Sequence, residues 1–165
     1  MRGIAVLNNV MYVVCHKSSI ISTYSADTLS PISEDIDVEG MTDPRDMAVC
    51  RHDRQLYVLT WSNCIYRVST QVPSQYEQWL TLQSTDDVTV TTISVTSQRV
   101  LVTSDPPSLH QYNTTDGLLM RVVQLPQSVE WTTHAVETTR ETFIVCHGGT
   151  QQIAFQYAVS KRCSL

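Results

Sequence analysis

The sequence is poor in charged side chains, which make up 16% of its 165 residues against about 25% in an average soluble domain. It has no apolar run of the roughly 18 residues that a membrane-spanning helix needs. Its N-terminal stretch, Met1–Leu7, is too short for the core of a signal peptide. These absences predict a cytoplasmic protein without a membrane segment.

Basic residues are also few, since 11 Lys and Arg stand against 16 Asp and Glu, for a net charge of −5. The cations are scattered along the chain and form no run. A domain that binds nucleic acid generally through phosphate contacts carries a basic patch or stripe. The charge pattern therefore argues against a nucleic acid as the partner.

The cysteines show no pattern typical of a disulfide framework or a zinc site. Their number is odd, and no two form a Cys-x-x-Cys pair. We expect them to be small apolar residues within strands; they are Cys15, Cys50, Cys64, Cys146 and Cys163.

Motifs of catalysis and cofactor binding are missing as well. The chain contains no Gly-x-Ser-x-Gly elbow, no phosphate-binding loop and no Gly-x-Gly-x-x-Gly fingerprint. Its many serines and threonines fit strand surfaces and turns. The sequence thus predicts no catalytic residue, no cofactor and no metal, and indicates a protein that is not an enzyme.

What the sequence does contain is a repeat of short apolar segments rich in Val, Ile, Thr and Tyr, which indicates an all-β protein. Four segments are alike, and their first residues lie 45, 43 and 43 positions apart; they are Tyr12–His16, Tyr57–Trp61, Val100–Ser104 and Phe143–His147. A shorter apolar segment precedes each, and a third follows, ending near Tyr24, Val68, Tyr112 and Tyr157. A fourth follows in three of the units: Ile36–Val38, Leu80–Leu82 and Val123–Leu125.

Four strands in about 44 residues are typical of one β-propeller blade. The sequence therefore predicts an all-β fold of four-stranded antiparallel blades in an incomplete ring. The predicted blades are residues 1–43, 44–88, 89–131 and 132–165, the last one incomplete. An incomplete ring leaves the outer faces of its end blades exposed. We therefore expect self-association or a partner chain that completes the ring, unless the chain is a fragment without independent function.

One part of the repeat resembles a known family. Pro44–Val49, followed by Leu56–Val58 and Ile65–Val68, resembles the NHL repeat. Asp116–Leu119 and Phe143–Gly148 are similar to segments of animal NHL-like propellers, most of them uncharacterised. The resemblance implies a β-propeller that recognises protein partners or, in some members, RNA. Members of this family usually close with six blades.

Candidate binding residues lie in the loops of one propeller face, where fourth strands lead to first strands and second strands lead to third strands. Tryptophan and arginine are the residue types that most often anchor protein interfaces. The candidates are Arg45, Trp61, Asp105, Trp131 and His147. The alternative is that Trp61 and Trp131 are structural and cover blade edges.

Two functions remain open beside a non-catalytic module that binds a protein or peptide. His16 and His147 occupy equivalent positions, and Asp105 lies near the corresponding position of its unit, as in the metal rings of some six-bladed hydrolases and lyases. In unit two, however, the equivalent residue is Trp61, which cannot bind a metal. The other alternative is an RNA-binding NHL propeller.

Overall fold

The described residues fold into four small antiparallel sheets, each a meander of consecutive strands. The computed structural model describes residues 2–32, 35–72, 75–82, 89–126, 128–129, 132–139, 142–148 and 155–158. The first sheet contains β1 (Gly3–Leu7), β2 (Val10–Val14), β3 (Ile20–Ser25) and β4 (Ile36–Asp37). The second contains β5 (Pro44–Cys50), β6 (Gln55–Thr60), β7 (Cys64–Ser69) and β8 (Tyr76–Thr81). The third contains β9 (Thr89–Val95), β10 (Arg99–Asp105), β11 (Ser108–Asn113) and β12 (Leu119–Gln124). In the fourth, the described strands are β13 (Thr132–Thr139), β14 (Thr142–His147) and β15 (Phe155–Ala158).

The sheets stand side by side in chain order, with their first strands innermost. Strand β1 packs beside β5, β5 beside β9, and β9 beside β13. Within the described residues, the ring is open between the fourth sheet and the first. This arrangement confirms the predicted all-β propeller with an incomplete ring. In the described part of the chain, no helix has the length and apolar character needed to cross a membrane.

Each sheet has two faces, which we call front (toward the next sheet) and rear (toward the preceding sheet). The front of the first sheet meets the rear of the second in one core, where Tyr12 and Val14 pack with Leu56 and Val58. The second core joins the second and third sheets, and the third core joins the third and fourth. Because both faces of a middle sheet are buried, its second strand is apolar almost throughout, as β6 is from Leu56 to Leu59.

The four predicted second strands are confirmed as β2, β6, β10 and β14, but their alignment in the sequence was wrong by one residue in two units. Tyr57 pairs with Ala48 and lies on the front face of the second sheet. Val100, which the sequence aligns with Tyr57, lies on the rear face of the third sheet and packs into the same core. The counterpart of Tyr57 in the third sheet is Leu101, and in the fourth sheet it is Ile144. A slip of one residue reverses every side chain of a strand. A run that is apolar on both faces does not reveal such a slip.

The outer strand of the first sheet and the outer turn of the third both follow local sequence patterns. Around β4, Ile36 and Val38 are buried while Asp37 and Glu39 are exposed, so charges line the outer edge. Such charges oppose pairing with another sheet edge. The Asp116–Gly117 turn joins β11 to β12, and Gly117 has a φ of +70°, which glycine adopts without strain.

Polar contacts also connect neighbouring sheets. The Asp46 carboxylate accepts hydrogen bonds from the amides of Met47, at 2.8 Å, and of Ile93 on the next inner strand, at 3.0 Å. Between the third and fourth sheets, Arg99 and Glu137 form an ion pair of 3.1 Å, with side chains 13% and 11% exposed. These contacts connect neighbouring sheets in addition to their apolar cores.

The cores between sheets predict which leucines carry stability. Leu56→Ala removes a side chain with no exposed surface, so the free energy of unfolding should fall by about 2–5 kcal/mol. Leu119→Ala, on an outer strand and 52% exposed, is the matched control and should cost less than about 1 kcal/mol. Urea unfolding followed by circular dichroism measures both. Equal losses would contradict this packing.

The environment of Asp46 predicts a pH effect. Burial raises the pKa of this carboxyl, although the two amide bonds and the charges of His134 and Arg45 oppose the shift. The folded state therefore binds the proton more tightly than the unfolded state. The two states differ most in protonation at pH values between the unfolded pKa of about 3.9 and the higher folded pKa. As the pH falls from 7 to 4, wild type should gain stability relative to Asp46→Asn. Urea unfolding of both proteins at each pH tests this, and a relative loss toward acid pH would contradict it.

Candidate interaction surface at the channel mouth

Of the five predicted binding residues, the four that the structure describes lie at one end of the blades. Arg45 is the second residue of β5, and Trp61 directly follows β6; Asp105 and His147 are the last residues of β10 and β14. The start of each first strand pairs with the end of its second strand, as in Asp105 with Thr89. This topology brings the four segments to the same face of the propeller. Trp131 lies outside the described residues.

Trp61 is the most prominent side chain on this face. It is 46% exposed, and the guanidinium carbon of Arg45 lies 4.0 Å from the centre of its ring. Arg2 approaches the same ring at 5.9 Å. A guanidinium over an indole is attracted by the negative face of the ring, so Arg45 holds Trp61 in position while leaving much of it open to solvent.

The backbone beneath Trp61 is also well held. The Trp61 amide donates a hydrogen bond of 3.0 Å to the carbonyl of Asp43. In the turn that contains Trp61, the Thr60 hydroxyl accepts a hydrogen bond from the Cys64 amide at 3.2 Å. The same hydroxyl donates to the Cys64 carbonyl at 3.1 Å. The indole is therefore presented by a short, internally bonded turn.

The charge next to Trp61 is positive and largely uncompensated. Burial lowers the pKa of Arg45, the nearby Arg2 lowers it further, and Asp46 acts in the opposite direction. Arginine stays protonated despite such shifts. Across the described ranges, no carboxylate lies within 4.0 Å of the Arg45 guanidinium. Arg45 is thus suited to receive a carboxylate from outside the chain.

Two neighbouring cavities open at this mouth, and Arg45 lines both. One has a volume of about 580 Å³ and is bounded by Trp61, Arg2, Asp46 and His134. The other, of about 450 Å³, extends to Asp105. Threonines line the wall between them: Thr91, Thr92 and Thr133 belong to both cavities. The fold therefore unites Arg45, Trp61 and Asp105 in one concave surface, which we call the channel mouth.

His147 does not join this group. It is 8% exposed, and it shares the rear face of β14 with Phe143 and Val145, which pack against the third sheet. His16, its predicted equivalent, contacts the Asp43 carboxylate at 3.4 Å near the first sheet. Within the described residues, no group of three or more His, Cys, Asp and Glu side chains is placed to hold a metal ion.

Sequence reasoning missed two features. The threonines of the channel mouth looked like ordinary strand residues, although Thr91 and Thr92 both bond to the Thr103 hydroxyl, at 2.7 and 2.9 Å. The second feature is a groove of about 770 Å³ at the opposite end, between the second and third sheets. There Arg67 pairs with Glu77 and donates to the carbonyl of Thr114, so its charge is already neutralised.

Comparisons with known proteins identify the fold of the chain but assign it to no family. No family model matches the chain, and no curated protein matches it. The chain is similar to the β-propeller domain of Myceliophteria thermophila Cps50 (Swd1), with a TM-score of 0.71 and 16% identity over 96% of this chain and 54% of that one. It is also similar to the WD40 repeats of RRP9, with a TM-score of 0.65 and 15% identity over 88% of this chain and 44% of that one.

A third similar structure is the computationally designed Ika4 protein, with a TM-score of 0.66 and 10% identity over 96% of this chain and 90% of that one. The chain thus spans about half the length of Cps50 and RRP9, but nearly all of Ika4. At these identities the likeness concerns the fold alone. The chain has the fold of a β-propeller.

Proposed function

We propose that the chain is a non-catalytic interaction module that binds a segment of a protein or peptide partner at the channel mouth. The observation that supports this most is the exposed Trp61, held under Arg45 at the edge of one of the two cavities. Water contact with a large indole is unfavourable. An indole that is nevertheless held open beside a concave surface has the properties of an interface anchor.

The roles of the individual side chains follow from their chemistry. Trp61 supplies apolar area that a partner can remove from water, and its fixed position reduces the ordering cost of binding. Arg45 supplies a guanidinium for a partner carboxylate. Thr91, Thr92 and Asp105 supply hydroxyl and carboxylate oxygens that can accept bonds from the amides of an extended segment.

Finer assignments belong to the same proposal. The resemblance of Pro44–Val49 and the strands after it to the NHL repeat supports an NHL-type propeller. The strand order supports blades at about 1–43, 44–88, 89–131 and 132–165. We propose a cytoplasmic location and an absence of enzymatic activity on the basis of the charge and motif pattern of the sequence.

The proposed role of Trp61 predicts a selective loss of binding. Peptides selected from a random display library against the wild-type chain should lose at least tenfold in affinity with Trp61→Ala, because the anchor is gone. Isothermal titration calorimetry with the selected synthetic peptides measures the change.

Leu118→Ala is the control, since Leu118 is 66% exposed but belongs to the turn before β12, away from the channel mouth. Its affinity should match wild type. Arg45→Lys keeps the charge but loses the planar stacking, and should weaken binding less than Trp61→Ala. Peptides that bind Trp61→Ala as tightly as wild type would refute the proposed site.

A further inference from the structure

The rear face of the first sheet is an apolar surface without a neighbour among the described residues. Ile4 is 45% exposed and Val6 43%. On the adjacent β2, Met11 and Val13 point to the same side, since they pair directly with Val6 and Ile4. No charged residue lies within these two strands.

The position of Ile4 is buried wherever another sheet precedes. By strand register, Ile4 corresponds to Met47 of the second sheet and to Ile93 of the third. These residues are only 4% and 1% exposed, because each packs on the front face of the sheet before it. The first sheet thus carries a rear face of the kind that elsewhere in this chain forms a core.

The front face of the fourth sheet is in the complementary situation. Val136 is 39% exposed, its strand partner Ile144 is half-buried, and Cys146 is exposed. The counterparts of Ile144 in the three preceding sheets are buried front-face residues; they are Tyr12 (5%), Tyr57 (1%) and Leu101 (1%).

Three junctions inside the chain show what covers such faces, since each joins the front of one sheet to the rear of the next. The described chain offers one front face and one rear face without a neighbour. We propose that two copies associate head to tail, with the fourth sheet of each copy covering the first sheet of the other. The product is a closed ring of eight sheets with twofold symmetry.

The number of copies follows from the share of a ring that the four sheets of one copy form. The chain covers 54% of the Cps50 propeller chain and 44% of the RRP9 chain, so each copy supplies about half of a propeller of that size. Two copies supply eight sheets, within the usual range of about four to eight blades. A head-to-tail contact that closes after two copies has no free face left and stops growing.

Ring closure also completes the channel mouth. The cavity next to Trp61 is lined by Arg2, directly before β1, and by His134 of β13. In the proposed ring these two end strands each gain a neighbour from the other copy. The ring therefore carries two Trp61–Arg45 pairs around a single channel.

Analytical ultracentrifugation of the 165-residue chain tests the proposal. We expect a single species of twice the chain mass of 18.6 kDa. In a ring of two identical variant copies, Val6→Lys places a lysine in each junction, and Val136→Glu places a glutamate in each. Both variants should therefore be monomers. The side chains they replace are 43% and 39% exposed, so each variant should keep the wild-type circular dichroism spectrum.

Mixing the two variants is the decisive step. One junction of the mixed ring then brings the introduced lysine against the introduced glutamate, and the other junction is wild type, so the mixture should regain the dimer. The two substituted positions should meet in one junction. The residues that correspond to Val6 and Val136 at the junction of the first and second sheets are Val49 and Ala5, and these belong to one core. Leu118→Glu, at a residue 66% exposed and outside both faces, is the control and should remain dimeric.

Three results would overturn the proposal. A wild-type chain that sediments as a monomer would show that the faces do not pair. A Val136→Glu variant that stays dimeric would show that two first sheets meet face to face instead. A series of growing oligomers would show that the head-to-tail contact does not close after two copies.

Discussion

The whole structure depends on the burial of one sheet face against the next. None of these sheets is large enough to bury its own apolar residues, because each has only three or four described strands and presents two faces. Removing apolar surface from water contributes about 25 cal/mol per Å². Tyr57, Val58 and Leu59 on one short strand are all buried only because sheets stand on both sides of it.

This packing also places the candidate site. When sheets stack around an axis, their first strands come together, and the ends of the second strands meet the starts of the first. Arg45 and Trp61 come from such adjacent ends within the second sheet, while Asp105 comes from the third. A rigid core beneath these short connections keeps Trp61 exposed and fixed, which a flexible loop would not achieve.

Open ends are the other consequence of the same interaction. A middle sheet has both faces covered, but an end sheet keeps one face in water, so Ile4 is exposed where its counterpart Ile93 is buried. The residues of the end faces are nevertheless those of an interior. The stability of the chain and its proposed assembly therefore depend on the same kind of contact.

The sequence by itself determined the number of strands, their order and the spacing of the repeat, because strand alternation and turn residues are local properties. The alternation from Ile36 to Glu39 and the turn at Gly117 are local patterns of this kind. Only the tertiary structure decided which face of the third sheet Val100 occupies, since the strand is apolar on both sides. It also decided that His147 is buried while Trp61 is exposed, and that Arg45 stacks on Trp61. Those outcomes depend on which sheets stand next to one another, and no local pattern contains that information.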